Sequence, residues 1–466
     1  MMVFSSVTFL IFFIIVYSLL VSFKGRVSLT KFVLLSSSYF FYGYWNYKFL
    51  SLIIFSTILD YIVGGRIYQS SSSKNRKLLL TISMVSNLGL LFFFKYFNFF
   101  IESFNSSFGF LGLSFHTLNI ILPVGISFYT FQTMSYTIDI YRKSLKPSKS
   151  FLDFSIFVAF FPQLVAGPIV RAVDFLPQIE RDISISKDNF FKGGQIFLNG
   201  FLKKLLIADT LAYFVDYVFA NPSVFDSYTI WAAVVAYTIQ IFCDFSGYSY
   251  MAIGIAKIIG FDLPENFRSP YIALNITQFW RRWHISLSTW LRDYLYISLG
   301  GNRKGSFRTY QNLFLTMVLG GLWHGASWNF VIWGGLHGLG LIIHKLYLKW
   351  FSPSESFLAK SVSWFSTMLF VMICWVYFRA ESFEFSSIML KKMFVFEDGV
   401  HYIYTKFVVI MVMVIISHIF ALKGYDRKYY FVDLKSFKGA FILVFALFLF
   451  LLFSPINTAP FIYFQF

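Results

Sequence analysis

Two histidines lie within one glycine- and tryptophan-rich stretch, and their chemistry suits proton transfer. His324 and His337 belong to GGLWHGASWNFVIWGGLHG (residues 320–338), inside the charge-free run 312–343. An imidazole takes up and releases protons near pH 7, so a histidine in apolar surroundings is a candidate general base. The alternative is a neutral histidine that forms a hydrogen bond between helices.

The spacing of the histidines limits the kind of site they can form. On one continuous helix, His324 and His337 lie about 20 Å apart on nearly opposite faces, so they share a site only if Gly334–Gly335 breaks the helix. His337 and His344 are two turns, about 10 Å, apart, and no HxxxH pair occurs. The sequence contains no GxSxG nucleophile motif. We therefore expect no metal site, and one or two histidines acting as general bases.

A third histidine, His284, lies in QFWRRWHISLSTWLRDY (residues 278–294). At about 100° per residue, this segment forms a helix with an apolar arc, and His284 falls at the edge of that arc. Asn275 and Gln278 resemble a capping box at the helix start. The pattern predicts one amphipathic helix in the cytoplasmic membrane interface. Taken alone, His284 is either an interfacial or a catalytic residue. The apolar arc consists of Trp280, Trp283, Leu287, Trp290, Leu291 and Tyr294.

The composition places these histidines in a membrane protein. The chain is 57% hydrophobic, and its 64 phenylalanines outnumber the 39 basic and 22 acidic residues combined. The stretch 3–23 carries no charge and is long enough to cross a bilayer. It lacks a basic leader region and a cleavage motif, so we expect it to be retained. The sequence predicts an all-α polytopic membrane protein with about ten to twelve transmembrane helices, plus re-entrant and interfacial helices.

The charge distribution predicts the topology. The net charge is +17, and the loops 24–31, 66–77 and 142–150 are basic. By the positive-inside rule these loops face the cytoplasm and the N-terminus lies outside. The excess basic charge reflects either this rule alone or also an anionic ligand. We expect membrane lipids as partners and no nucleic acid. Cys243 and Cys374 are too few for a disulfide framework.

The chain shows neither repeats nor a soluble domain, so we expect one membrane-embedded domain over residues 1–466. Pro162, Gly167 and Pro168 interrupt the apolar run 157–172, which predicts a re-entrant or cavity-lining segment. Further spans are expected near 205–220, 228–260, 311–345, 361–378, 405–421 and 438–454. The polar interval 262–310 is rich in arginine, and its arginines serve either as interfacial anchors or as ligand contacts.

Two motifs carry a resemblance to a known family. FRSPYIALNITQFWRRWHISLSTWLRDYLYISLGGNRKG (residues 267–305) and NLFLTMVLGGLWHGASWNFVIWGGLHG (residues 312–338) resemble the membrane-bound O-acyltransferase family. Within it they are most similar to the bacterial branch that O-acetylates alginate and related polysaccharides. The segments 161–171 and 244–267 resemble the same branch. The core motifs thus extend over residues 157–345.

The resemblance implies a fold, a reaction and site residues. It implies a tunnel through the protein that joins a cytoplasmic donor site to an extracytoplasmic acceptor site in a bacterial inner-membrane enzyme. His324 matches the family's catalytic histidine, and His284 matches a second site residue that other branches replace with Asn or Asp. The donor is acetyl-CoA, with no permanently bound cofactor, and a periplasmic serine-hydrolase-like partner within a polysaccharide synthesis complex receives the acetyl group. Basic residues attract the donor phosphates: Arg281, Arg282, Arg303 and Lys304.

Two other functions fit parts of the sequence. Within the same family, the enzyme could transfer D-alanine from a carrier protein to teichoic acid. In another class, a polysaccharide transporter or flippase could use Asp60, Asp139, Asp244 and His324 as a proton relay. The sequence shows no inverted repeat, which argues against a transporter. It does not identify the acceptor polymer.

Overall fold

The structure is a computed structural model that describes residues 2–164, 167–183, 185–425, 431–433, 436–453 and 461–462. Its described part consists of helices and the connections between them. Within those ranges there is no strand, only an isolated bridge between Phe225 and Val400. The prediction of an all-α chain is confirmed.

The residue contacts divide the chain into two compact units, Met1–Phe197 with Met251–Pro264 and Leu198–Tyr250 with Glu265–Phe466. Helices α10 and α12, defined below, contribute residues to both units. The organisation as a single membrane-embedded domain stays a prediction. The helices are α1 (Val7–Ser22), α2 (Val27–Asn46), α3 (Leu50–Gln69), α4 (Ser73–Leu91), α5 (Phe97–Phe108), α6 (Ile126–Tyr141), α7 (Phe151–Ala159), α8 (Phe161–Leu164), α9 (Ala172–Glu180), α10 (Lys187–Leu202), α11 (Thr210–Ala220), α12 (Ser227–Ile258), α13 (Ile276–Arg282), α14 (Ile285–Trp290), α15 (Gly305–His324), α16 (Trp328–Trp350), α17 (Phe357–Arg379), α18 (Phe383–Phe394), α19 (Thr405–Phe420) and α20 (Phe437–Phe453).

Serine residues define where many of these helices begin. Ser327 precedes α16, and its hydroxyl accepts a hydrogen bond from the backbone N–H of Asn329. Such a cap satisfies an N–H group that has no partner inside the helix, which matters most where water is scarce. The same kind of cap occurs at Ser6, Ser72, Ser150, Ser356 and Ser382.

Among the residues that the structure describes, six helical stretches are long and apolar enough to cross a membrane. The chain is therefore a multi-pass membrane protein. The number of crossings stays a prediction, since shorter apolar helices also occur in α1, α7–α8 and α20. The single span expected near 311–345 is wrong, because α15 and α16 are separate helices there. The six stretches are Val27–Gln69, Ser73–Leu111, Ser227–Ile258, Trp328–Trp350, Phe357–Arg379 and Thr405–Gly424.

The run 157–172 is broken in the first unit, as its proline and glycine residues predict. Helix α7 ends at Ala159, α8 is a single turn, and residues 160–164 are fully or almost fully buried. A Cβ atom at Gly167 would lie 2.4 Å from the Cα of Gln163, so only glycine fits this turn. Residues 165 and 166 lie outside the described residues. Protein surrounds this irregular backbone, as a membrane environment requires.

Candidate active site

His284 lies at a break between two short helices, in the second unit. The structure does not form the single helix expected over 278–294, because α13 ends at Arg282 and α14 begins at Ile285. His284 adopts the left-handed conformation, with φ 41°. This conformation is uncommon for a residue with a side chain and must be held by its surroundings. The expected cap is confirmed, because Asn275 accepts a hydrogen bond from the N–H of Gln278.

Asn266 holds this break in place through its side chain and its backbone. Its Oδ1 atom accepts hydrogen bonds from the backbone N–H of Ser286 at 3.2 Å and the hydroxyl of Ser286 at 2.9 Å, and it lies 3.1 Å from Nδ1 of His284. The backbone carbonyl of Asn266 accepts a hydrogen bond from Ile285. The Asn266 amide nitrogen donates to the hydroxyl of Ser249 at 3.2 Å. The side-chain oxygen, the side-chain nitrogen and the backbone carbonyl of Asn266 are thus all engaged.

These contacts fix which nitrogen of His284 carries the proton. The backbone N–H of Ser286 can only donate, so the Asn266 atom that it contacts is the oxygen. The Nδ1 atom of His284 must therefore donate its proton to that oxygen, which leaves Nε2 as the lone-pair nitrogen. His284 is 0% exposed, and among the described residues Nε2 has no hydrogen-bond partner. Burial lowers the pKa of His284 to about 3, so the ring is neutral at physiological pH.

His324 is the last residue of α15 and lies at the tip of a helical hairpin. The chain turns through Gly325 and Ser327, and α16 then begins at Trp328. The assumption of one continuous helix through His324 and His337 is wrong, and so is the alternative break at Gly334–Gly335. The break comes at residues 325–327.

Two glycines allow the helices of this hairpin to approach closely. A Cβ atom at Gly321 would lie 2.2 Å from the carbonyl oxygen of Phe330, and one at Gly334 would lie 2.4 Å from that of Met317. Only glycine permits such backbone contact between helices. The glycines of residues 320–338 therefore allow close helix packing. This packing brings residues of α15 and α16 together.

Aromatic rings connect the three histidines. The Trp323 ring contacts both His284 and His324, with centroid distances of 6.1 Å and 5.0 Å. The Trp333 ring contacts both His324 and His337, with centroid distances of 4.9 Å and 4.7 Å. The structure thus brings together all three histidines that the sequence singled out. The prediction that His337 lies far from His324 is wrong, because the hairpin brings the two helices face to face.

His337 has the opposite tautomer from His284. The indole N–H of Trp280 donates to Nδ1 of His337 at 3.3 Å, so Nδ1 carries the lone pair and Nε2 the proton. His337 is also stacked on Phe279, with the ring planes 8° apart. Helix α13 therefore orients His337, and His337 is neutral with its acceptor nitrogen already occupied.

The four predicted donor-binding residues lie in the same unit, at the surface. Arg281, Arg303 and Lys304 are exposed, while Arg282 is half-buried and donates to the carbonyl oxygen of Arg268 at 2.9 Å. Arg303 and Lys304 follow the π-helical turn Leu291–Tyr296. Three of the four cations are thus available to an anionic ligand. The fourth, Arg282, instead supports the connection before α13 through its bond to Arg268.

Buried acidic groups elsewhere have ionic or hydrogen-bonding partners. The Lys204 ammonium nitrogen lies 2.6 Å from Oδ1 of both Asp209 and Asp244. In the other unit, the carboxylate of Asp60 accepts hydrogen bonds from Ser83 at 2.6 Å and Asn87 at 2.8 Å. No group of three or more His, Cys, Asp or Glu side chains suited to a metal ion occurs in the part of the chain that the structure describes.

Comparisons with known proteins show the family of this chain. The family model of the membrane-bound O-acyltransferases matches residues 141–387, which include Asn266 and the three histidines. The chain belongs to the membrane-bound O-acyltransferase family. It is therefore an O-acyltransferase, and the family assignment decides against the transporter.

The relatives of this acyltransferase modify different polymers, to judge by their names. The probable alginate O-acetylase AlgI of Pseudomonas aeruginosa is 45% identical over 399 residues, 85% of this chain and 75% of that protein. The peptidoglycan O-acetyltransferase of Helicobacter pylori is 39% identical over 403 residues, 81% of this chain and 76% of that protein. The teichoic acid D-alanyltransferase of Bacillus subtilis is 29% identical over 244 residues, 50% of this chain and 61% of that protein.

Sequence reasoning found the histidines and missed the residue that orients one of them. Asn266 was not singled out, although it is a polar residue beside Phe267 in a segment that resembles the family. Its burial, 1% exposed, is the signal that the structure adds. A buried amide is retained where it satisfies several partners, as this one does.

Proposed function

We propose that this acyltransferase moves an acetyl group from cytoplasmic acetyl-CoA through the membrane for O-acetylation of an extracytoplasmic polysaccharide. The observation that carries the proposal is the contact of both His284 and His324 with the ring of Trp323, within the region that the family model matches. Two buried imidazoles that contact the same indole ring suit the transfer of an acyl group to a hydroxyl.

The relatives favour acetyl over D-alanyl transfer. The O-acetylases named above are 39% to 45% identical over more than four fifths of this chain, whereas the D-alanyltransferase is 29% identical over half of it. The acceptor class that follows is an alginate-like exopolysaccharide or peptidoglycan. Since the family uses a membrane-embedded enzyme for this transfer, CoA stays in the cytoplasm while the acetyl group crosses.

His324 is the general base of the proposed reaction. It takes the proton of the acceptor hydroxyl as the hydroxyl oxygen attacks the carbonyl carbon of the thioester. The carbon–sulfur bond then breaks, and His324 returns the proton to the thiolate of CoA. This transfer of the acyl group requires neither a metal nor a bound cofactor. The acceptor hydroxyl belongs to a periplasmic serine-hydrolase-like partner or to the polymer.

His284 orients the reacting hydroxyl, and Asn266 orients His284. The lone pair on Nε2 of His284 can accept a hydrogen bond, and the bond from Nδ1 to Asn266 keeps that lone pair in place. A residue held in one rotamer and one tautomer needs little reorganisation during the reaction. Asn266 is therefore a positioning residue, since it acts through His284.

The donor site includes Arg281, Arg303 and Lys304, which are exposed and cationic. CoA carries several phosphate charges, and exposed basic groups attract them over a Debye length. Arg282 contributes through its position beside Arg268. We place this surface on the cytoplasmic side of the bilayer.

The test is transfer of radiolabelled acetyl groups in proteoliposomes. With labelled acetyl-CoA on one side and polymer plus the periplasmic partner on the other, we expect label in the polymer. Transfer of D-alanine from a charged carrier protein, with none from acetyl-CoA, would contradict the proposal. Mass spectrometry of the polymer from a deletion strain should show loss of O-acetyl groups.

A further inference from the structure

An apolar arm extends from the first unit between α4 and α6. It comprises α5, the 3₁₀ turn Gly109–Leu111 and an extended segment that runs to residue 121, and we call residues 97–121 the arm. Gly112 has φ 74°, which turns the chain back along α5. No residue from 97 to 121 is buried.

The arm exposes apolar side chains at an unusual density. Phe110, at its tip, is 82% exposed, and Glu102 and His116 are its only ionisable residues. A contiguous apolar surface of this kind is unstable in water and indicates something that covers it. The exposed large apolar residues are Phe100, Phe108, Phe110, Leu111, Leu113, Phe115, Leu118 and Ile121.

Two asparagines of α5 hold the extended segment. The side-chain amide of Asn98 both accepts from the N–H of Leu118, at 2.9 Å, and donates to its carbonyl, at 2.7 Å. Asn105 makes the same pair of bonds with Phe115, at 2.9 Å and 2.8 Å. Each asparagine thus satisfies both backbone groups of one residue. Water would satisfy these groups in an aqueous loop, whereas hydrocarbon cannot.

The helical stretch that begins with α4 and continues into the arm is longer than one membrane crossing needs. The stretch Ser73–Leu111 contains 39 residues and qualifies as apolar enough to cross a membrane. At 1.5 Å per residue it extends about 58 Å, whereas the hydrocarbon core is about 30 Å thick. Helix α4 with its π-helical turn Phe92–Tyr96 already suffices for the crossing. The arm is therefore apolar chain in excess of one span.

We propose that the arm lies in the bilayer surface, with its phenylalanine and leucine side chains inserted among the lipid acyl chains. Its exposed apolar surface continues that of α4, where Leu78, Val85 and Leu88 are also exposed. The asparagine bonds satisfy backbone groups that lipid would leave without partners. Because the arm carries no Lys or Arg, insertion depends on apolar burial and not on anionic headgroups.

Site-directed fluorescence tests this placement. Phe110→Cys is labelled with bimane and the protein is placed in nanodiscs of zwitterionic lipid brominated in the upper acyl chain. Both native cysteines are buried, so the label goes to residue 110. We expect bromine to quench most of the fluorescence and aqueous iodide to quench little, equally with and without anionic lipid. The matched control is Ser71→Cys, in the polar connection before α4, which should show the reverse.

Two results would overturn the proposal. Quenching of residue 110 by iodide as strong as that of residue 71 would place the arm in water. Protection of residue 110 only in the presence of a second protein would make the arm a protein-docking surface.

Hydrogen exchange in the same nanodiscs provides a second measurement, in which Asn105→Ala should speed exchange at Phe115 but not at Leu118. Ser106→Ala, on the same helix, should change neither, and equal exchange in all variants would contradict the role of the asparagine bonds.

Discussion

Asn266 accepts a hydrogen bond from His284 at 3.1 Å, although 18 residues separate them in the chain. This contact holds a buried imidazole in one tautomer, with the lone pair of Nε2 directed away from Asn266. In the proposed reaction, that lone pair orients the hydroxyl that His324 deprotonates.

The first prediction concerns the protonation state of His284. Burial lowers the pKa of His284 to about 3, so the ring should stay neutral from about pH 5 to pH 8. Nitrogen NMR of histidine-labelled protein, assigned with His284→Gln, should show protonated Nδ1 and unprotonated Nε2 across that range. A titration of His284 near pH 6.5 would contradict the buried geometry.

The second prediction concerns Asn266. We expect Asn266→Ala to lower kcat by up to about 10²-fold with little change in KM for the donor, because His284 loses its orientation. Asn266→Asp should restore part of kcat, since a carboxylate also accepts from Nδ1, and its negative charge should raise the pKa of His284. On acidification, the activity of the Asp variant should therefore begin to fall at a higher pH than that of wild type, as His284 becomes protonated.

Ser286→Ala is the control for Asn266. It removes one hydrogen bond to Oδ1 of Asn266 and leaves the bond from His284 in place. It should have a much smaller effect on kcat. An unchanged kcat and an unchanged NMR spectrum in folded Asn266→Ala would show that Asn266 has no positioning role.

The third prediction concerns the helical hairpin. Gly334→Ala places a methyl group against the Met317 carbonyl, so it should destabilise the protein by about 1–3 kcal/mol and lower activity. The adjacent Gly335→Ala should be tolerated, because its nearest neighbours are Phe314 ring atoms at 3.8 Å. Thermal unfolding in detergent, followed together with acetyl transfer, compares the two variants. Equal stability of the two would show that the hairpin does not depend on this contact.

The fourth prediction concerns the donor site. Arg281→Ala should raise KM for acetyl-CoA by up to about fivefold at low salt, since an exposed charge pair contributes at most about 1 kcal/mol. Arg303→Ala and Lys304→Ala should act in the same direction, and added salt should reduce all three effects. Arg308→Ala is the control, because Arg308 is exposed and pairs with Gln311 instead. An equal increase in KM for Arg308→Ala would show that KM depends on the overall positive charge of this surface and not on a donor site formed by Arg281, Arg303 and Lys304.

The sequence predicted the fold class and the family, because these depend on composition and on local motifs. It also singled out the three histidines, whose catalytic roles stay a prediction. It did not predict the break at His284, because a regular apolar arc indicates a continuous helix. The break depends on hydrogen bonds to Asn266, which a helical pattern cannot reveal. A left-handed residue needs such support from distant parts of the chain.

The position of the break between α15 and α16 was not predicted from the sequence either. Glycine pairs suggested a break at Gly334–Gly335, whereas the helix ends at Gly325 and restarts after Ser327. Glycine both ends helices and permits close helix packing, and the sequence alone does not distinguish these roles. Ser327, an N-cap residue three positions after His324, was the local signal for the true break.

The central claim is that His324 is the general base, and His324→Ala tests it most directly. In proteoliposomes with radiolabelled acetyl-CoA, we predict a loss of acetyl transfer of about 10²–10⁴-fold, while folding and donor binding are retained. His284→Ala should lower acetyl transfer to a smaller extent than His324→Ala. His337→Ala, which leaves the Trp280 N–H without its acceptor, should lower it less than His284→Ala does. The matched control is His344→Ala, whose ring contacts Thr277 on α13 and which should stay active. Wild-type transfer by a folded His324→Ala protein would contradict the account.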